Sequence, residues 1–156
     1  MSRPIDPGPL PSGDLSAPVS AFVHRIRVGW ADCDPARIAY TGRIPCFALE
    51  AIDAWWEHAI GYDWFRLNLD RNYGTPFVHM EVDFRSPVTP RAPLECTVVL
   101  TRLGEKSLSF CVTGRQDEVL CFEGRFVSAF VAADRFEPIP VPADIRSRLQ
   151  QLVGEA

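Results

Sequence analysis

The chain has 156 residues, 47% of them hydrophobic and 23% charged, with 16 basic against 20 acidic side chains and a net charge of −4. That length and balance describe one globular domain able to bury its own core, and exclude a disordered, collagen-like or coiled-coil chain. The negative balance argues against a general nucleic-acid binder, although a local basic patch for a small anion stays open.

Residues 1–20 carry Pro4, Pro7, Pro9, Pro11 and Pro18 and almost no large apolar side chains, so they are read as a mobile proline-rich tail. The folded domain is placed at residues 21–156. It begins with Phe22, His24, Ile26 and Val28 alternating with Val23, Arg25 and Arg27, the period of a half-buried strand. A loop over 29–40 follows. Ile44, Phe47, Ala48, Ala51, Ile52, Trp55, Trp56 and Ala59 then recur at helical spacing, with Gly61 as the stop. This helix is apolar around far more than a narrow stripe, so it needs to be wrapped rather than laid on a surface. A short helical turn is expected over 62–69.

From residue 75 the period changes to two, predicting strands over 75–84, 94–103, 107–115 and 119–131. Their breaks fall at Pro87, Pro90 and Pro93, at Gly104-Glu105, and at Gln116-Asp117-Glu118. Short connections make the last three antiparallel neighbours. A helix over 143–153 closes the chain. One long apolar helix followed by a run of antiparallel strands is an α+β pattern, best packed as a curved five-stranded sheet around the helix. A second copy would pair the exposed edge strands, so at least a homodimer is expected.

Cys33, Cys46, Cys96, Cys111 and Cys121 are odd in number and contain no C-x-x-C pair, which fits neither a disulfide framework nor a zinc pattern and suits a reducing cytoplasm. No apolar stretch approaches the roughly 20 residues of a membrane span, so no membrane partner is expected, and the N-terminus lacks a signal-peptide pattern. No Ser/His/Asp set, Gly-rich phosphate loop or metal-ligand spacing is present, so neither a metal nor another cofactor is expected.

The chemistry concentrates in Ala31-Asp32-Cys33-Asp34-Pro35-Ala36-Arg37-Ile38-Ala39-Tyr40-Thr41-Gly42. Two carboxylates sit between the first strand and the N-terminal end of the apolar helix. Such an end presents unpaired N–H groups and a positive dipole, which stabilise an oxyanion or a polarised carbonyl. A carboxylate beside it can attack that carbonyl or deprotonate a water that does. The residue types equally allow Asp32 or Asp34 simply to cap a turn, as Asp-Pro pairs often do.

Asp32-Cys33-Asp34-Pro35-Ala36, followed by Ile38 and Tyr40, resembles the signature of the 4-hydroxybenzoyl-CoA thioesterase family of hotdog-fold proteins. Gly74-Thr75-Pro76, Lys106-Ser107 and Val141-Pro142-Ala143-Asp144 are similar to further segments of that family. The resemblance implies a hotdog fold, with a five-stranded antiparallel sheet around one helix and an extra C-terminal helix here. It implies dimers, or dimers of dimers as homotetramers, and hydrolysis of an acyl-CoA to free acid and CoA without a cofactor. Asp34 matches the catalytic nucleophile or general base, and the Thr41 backbone N–H the group that polarises the carbonyl. Lys106 matches a position that meets the CoA phosphates, with Arg102, Arg115 and Arg125 as further candidates.

The chain also departs from the family pattern. Arg37 replaces a usual Gly and Gly42 a frequent Pro. Leu49, next to Glu50, stands where members specific for 4-hydroxybenzoyl groups carry an acid, so an aromatic or other apolar acyl end is expected. Glu50 is a rival catalytic carboxylate, because a separate hotdog type uses one on the central helix. His79 follows the Gly74-Thr75-Pro76 segment and is a candidate for the pocket border. The rival to an enzyme is a non-hydrolytic hotdog protein that binds acyl-CoA or an acyl carrier. A hotdog dehydratase is disfavoured, because the loop lacks a histidine.

Overall fold

The long helix α1, Arg43–Ile60, is the axis of the computed structural model, which describes residues 21–154. The proline-rich tail expected over residues 1–20 lies outside the described residues. α1 buries Ile44, Phe47, Ala48, Ala51, Ile52, Trp55, Trp56, Ala59 and Ile60. These include every residue whose spacing marks the helix, so its broad apolar surface is covered. It stops at Gly61, whose φ of 79° is a left-handed backbone that glycine adopts without a Cβ clash.

Among the described residues eight strands follow in chain order: β1 (Phe22–Ile26), β2 (Tyr73–Gly74), β3 (Phe77–Phe84), β4 (Leu94–Leu103), β5 (Ser107–Gln116), β6 (Val119–Ala129), β7 (Val131–Ala132) and β8 (Glu137–Pro138). Five of them form one antiparallel sheet in the order β1-β4-β5-β6-β3. Its concave face presents Leu94, Cys96, Val98, Leu100, Phe110, Val112, Phe122 and Phe126, all buried in the core that surrounds α1. Gly114 permits the tightest approach within it, since a Cβ there would stand 2.0 Å from the Phe122 ring. The wrapped-helix α+β architecture is as expected.

The details differ in three places. The period-2 run over 119–131 is two strands, not one. Phe130 gives its N–H to the Lys106 carbonyl (2.8 Å) and its carbonyl to the Ile139 N–H (2.9 Å), and the chain then joins a small sheet β2-β7-β8. Alternation cannot show this, because Phe130, Val131 and Ala132 are all apolar and all buried, and the pattern does not say which sheet covers them. The turn over 62–69 is a true helix, α2 (Trp64–Arg71), begun by the Asp63 carboxylate accepting from the Arg66 N–H at 2.8 Å. The C-terminal helix is shorter than expected, α3 (Ala143–Leu149), followed by a 3-10 turn. Beyond it Val153 bridges Leu100, and the Gly154 N–H reaches the Leu100 carbonyl at 2.9 Å.

Arg71 ties these peripheral pieces together. Its side chain is 3% exposed, bonds Asp144 of α3 at 2.6 Å, and lies over the Tyr62 and Tyr73 rings. No helix among the described residues is long and apolar enough to cross a membrane.

Candidate active site

The loop between β1 and α1 is a built structure. A 3-10 turn at Trp30–Asp32 comes first, with the Asp32 N–H bonded to the Gly29 carbonyl at 3.1 Å. Cys33 then bridges Ala39 as a miniature hairpin, and the Asp34 N–H donates to the Ile38 carbonyl at 3.0 Å. At its tip the Arg37 N–H closes a turn on the Asp34 carbonyl (2.9 Å), with Arg37 at φ 66°. A left-handed position explains why glycine is the usual residue there. Gly42 has its own reason: the Tyr40 ring lies over it, and a Cβ would come 2.8 Å from that ring.

The two aspartates divide their work. Asp32 is structural: its carboxylate accepts from the Gly29 N–H at 2.8 Å and from Arg43 Nε at 2.9 Å. Arg43 is the first residue of α1, so this pair fastens the loop to the start of the helix. Asp34 is held by one oxygen only. Its Oδ1 accepts the Ala36 N–H at 2.8 Å, an Asx turn, while Oδ2 has no hydrogen-bond partner among the described residues. The turn-capping and chemical readings of Asp34 are therefore compatible, one for each oxygen.

Thr41 and Gly42 lead into α1. The Thr41 N–H has no acceptor among the described residues, and the first turn of α1 contains no acidic residue to offset its positive end. Beside it is a cleft of about 270 Å³ lined by Ile38, Thr41, Ile44, Phe84, Pro87 and Val88 among others. Its floor is the crossover from β3 to β4. The Ala39 N–H bonds the Val88 carbonyl at 2.7 Å, and buried Gln116 pins the crossover by bonds to Thr89 and Ala92 of 2.6–2.9 Å. Nothing in the sequence pattern singles out Gln116, whose partners lie more than twenty residues away.

The remaining candidates are not gathered here within one chain. Ile26 pairs with Leu94, so the Asp34 loop lies at the Leu94 end of β4, whereas Arg102 and Lys106 lie at the Leu103 end. Ten strand residues at about 3.3 Å each separate the two ends by about 30 Å. His79 is exposed on edge strand β3, with Nε2 3.6 Å from Glu81. Glu50 points its Oε1 to His24 Nε2 of β1 at 3.1 Å, and Leu49 packs half-buried against the core. Burial, reinforced by the Glu50 charge, pushes the Cys96 thiol up to about 12, and burial raises Cys111 and Cys121 as well. None of the three is a ready thiolate.

A family model described as the thioesterase-like superfamily matches residues 28–149. A thioesterase superfamily structure from Jannaschia sp. CCS1 is similar at 53% identity and a TM-score of 0.84, over 88% of this chain and 96% of that one. A 1,4-dihydroxy-2-naphthoyl-CoA thioesterase from Synechocystis is 18% identical, with a TM-score of 0.75 over 85% and 98% of the two chains. A gentisyl-coenzyme A thioesterase is 19% identical, with a TM-score of 0.72 over 80% and 99%. No curated protein sequence matches.

Proposed function

Because the chain belongs to the thioesterase-like superfamily, a hotdog-fold group, we propose that it hydrolyses an acyl-CoA thioester to a free acid and CoA at the Asp34 loop. One observation carries this reading: a carboxylate with one oxygen fixed and one free stands on the loop that delivers an unpaired amide to a helix start.

The Thr41 N–H and the positive end of α1 would receive the thioester carbonyl oxygen, where negative charge develops in the transition state. Asp34 Oδ2 would attack the carbonyl carbon, or take a proton from a water that attacks it. The C–S bond then breaks and CoA leaves as a thiolate. In the first route water hydrolyses the resulting mixed anhydride; in the second the acid is released at once. The Asp32–Arg43 pair holds the two reacting elements in register.

The acyl end would occupy the small cleft beside Thr41, whose Ile38, Ile44, Phe84 and Val88 suit an aryl or other apolar group. A phenol held against those apolar walls, out of reach of Thr41, Arg85 and Ser86 which also line the cleft, costs about 1–3 kcal/mol. Benzoyl-CoA should therefore be preferred to 4-hydroxybenzoyl-CoA.

The active form would be a homodimer or a dimer of dimers. β3 is an eight-residue edge carrying exposed Val78, Met80 and Phe84. Antiparallel pairing with a second β3 reverses the partner, so only across such a dimer could Arg102, Lys106 and His79 approach an Asp34 loop. Free-thiol release across a panel of acyl-CoA esters tests the reading. Turnover of aryl or apolar esters is expected; binding of those esters without thiol release would make the protein a carrier.

A further inference from the structure

We propose that Gln116, which does not itself line the cleft beside Thr41, is a positioning residue that sets the spacing between the Asp34 hairpin and the cleft floor, and with it the width of acyl group accepted. This rests on the hydrolase reading and deepens it.

The crossover, residues 85–93, joins β3 to β4 past the ends of β6 and β5. Pro87, Pro90 and Pro93 have no N–H to give, so the segment cannot pair continuously as a strand and needs partners from elsewhere. β6 supplies the first: the Arg85 and Ser86 N–H groups share the Cys121 carbonyl at 2.8 and 3.1 Å. Gln116, the last residue of β5 and 7% exposed, supplies the rest. Its Oε1 accepts the Thr89 N–H at 2.9 Å, and its Nε2 donates to the Thr89 and Ala92 carbonyls at 2.8 and 2.6 Å. Four polar or charged residues are buried among those described. Arg71, Thr75 and Ser128 each leave a side-chain atom without a hydrogen-bond partner, whereas Gln116 leaves none. A buried amide satisfied three times by one segment fixes where that segment lies, because moving it would strand polar groups out of water.

Val88 lies between the two anchors. Its carbonyl accepts the Ala39 N–H at 2.7 Å, and both residues are buried. Next to Ala39, the Ile38 carbonyl accepts the Asp34 N–H at 3.0 Å. A run of adjacent bonds thus leads from Gln116 to the Asp34 hairpin. The bond between Ala39 and Val88 also joins the two sides of the cleft, Ile38 and Thr41 on one and Ser86 to Val88 on the other. Without the Gln116 amide, Cys121 still holds Arg85 and Ser86, but Thr89 and Ala92 are released. The crossover then moves at Val88, and the two sides part.

Two measurements on the full chain test this. The first needs no substrate: amide hydrogen exchange at Ala39, referenced to Val112 in the middle of β5. In Gln116→Ala the Ala39 N–H should exchange about a hundredfold faster relative to Val112. In Asp144→Asn, which loosens the contact between α2 and α3 instead, that ratio should stay as in wild type. The second is the ratio of kcat/KM for benzoyl-CoA to that for the wider 2-naphthoyl-CoA, from thiol release. A smaller folded fraction scales both esters alike and leaves their ratio unmoved, whereas Gln116→Ala should lower it about tenfold. Should Gln116→Ala not fold, Gln116→Met fills the same space without the three bonds and is held to the same two ratios. Unchanged relative exchange at Ala39, or an unchanged ester ratio in an active variant, would overturn the assignment. Faster exchange at Ala39 in a protein whose wild type releases no thiol would uphold the link from Gln116 to the hairpin while removing the hydrolase reading.

Discussion

Arg37 holds the tip of the Asp34 hairpin at φ 66°, a backbone that costs an L side chain steric energy. Arg37→Gly should therefore stabilise the fold by about 0.5–1 kcal/mol, offset in part by the greater freedom of glycine in the unfolded chain. A rise in Tm of a few degrees with thiol release retained is the expected result; a fall would mean that the Arg37 side chain contributes contacts of its own. Arg43 acts on Asp34 only through Asp32. Arg43→Gln should lower kcat about 10–100-fold, with a smaller change in KM, because a displacement near 1 Å is that costly. An equal change in both would mark it as merely structural. The loop stands out in the sequence as two carboxylates just before the start of α1, but only the family resemblance singles out Asp34 and the Thr41 amide within it. Trp30, Gln116 and the role of Asp32 were not legible. Gln116 meets a crossover that the chain passes 24–27 residues earlier, Trp30 shares a groove with Pro90 to Pro93 about sixty residues later, and Asp32 differs from Asp34 only in which partners its carboxylate finds.

At the scale of elements, Arg71 and Asp144 join α2 to α3 across 73 residues of sequence. Burial alone would raise the Asp144 carboxyl, but hydrogen bonding from Arg71 and from the Ile145 amide, with the guanidinium charge, holds it below the ordinary carboxylate range. A carboxyl depressed in the folded state adds stability above its unfolded pKa and loses it as pH falls through the folded value. Wild-type Tm should thus drop more steeply than that of Asp144→Asn below about pH 4. At neutral pH the variant should be less stable by about 1–2 kcal/mol, a modest figure because Asp144 is half-exposed while Arg71 is not. Parallel pH profiles would remove the pair from the stability account. The elements themselves were largely readable: α1 from its apolar spacing and Gly61, β4 and β5 from alternation. The split at Phe130 was not, because alternation reports burial and says nothing of which sheet provides it.

Among the described residues the five-stranded sheet ends in two edges, five-residue β1 and the longer, eight-residue β3. Pairing two copies along β3 would satisfy its backbone and cover Val78 and Met80. Val78→Lys/Met80→Lys should shift the protein to monomer in light scattering while keeping its far-UV circular dichroism. Thiol release should fall with it if the partner completes the site; a monomer with full activity would confine catalysis to one chain. The expectation of a second copy comes from the unpaired edge strands and the family resemblance, but the choice of β3 as the joining edge needs the sheet order.

The proposed catalyst is Asp34, acting beside the Thr41 amide. Its most direct test is the kcat for thiol release by Asp34→Asn, compared with wild type on the best acyl-CoA of the panel, with Tm and oligomeric state measured on the same samples. Asparagine can still accept the Ala36 N–H, so fold and assembly should persist while kcat falls by about 10²–10⁴. A kcat near wild type would contradict the claim and turn attention to Glu50.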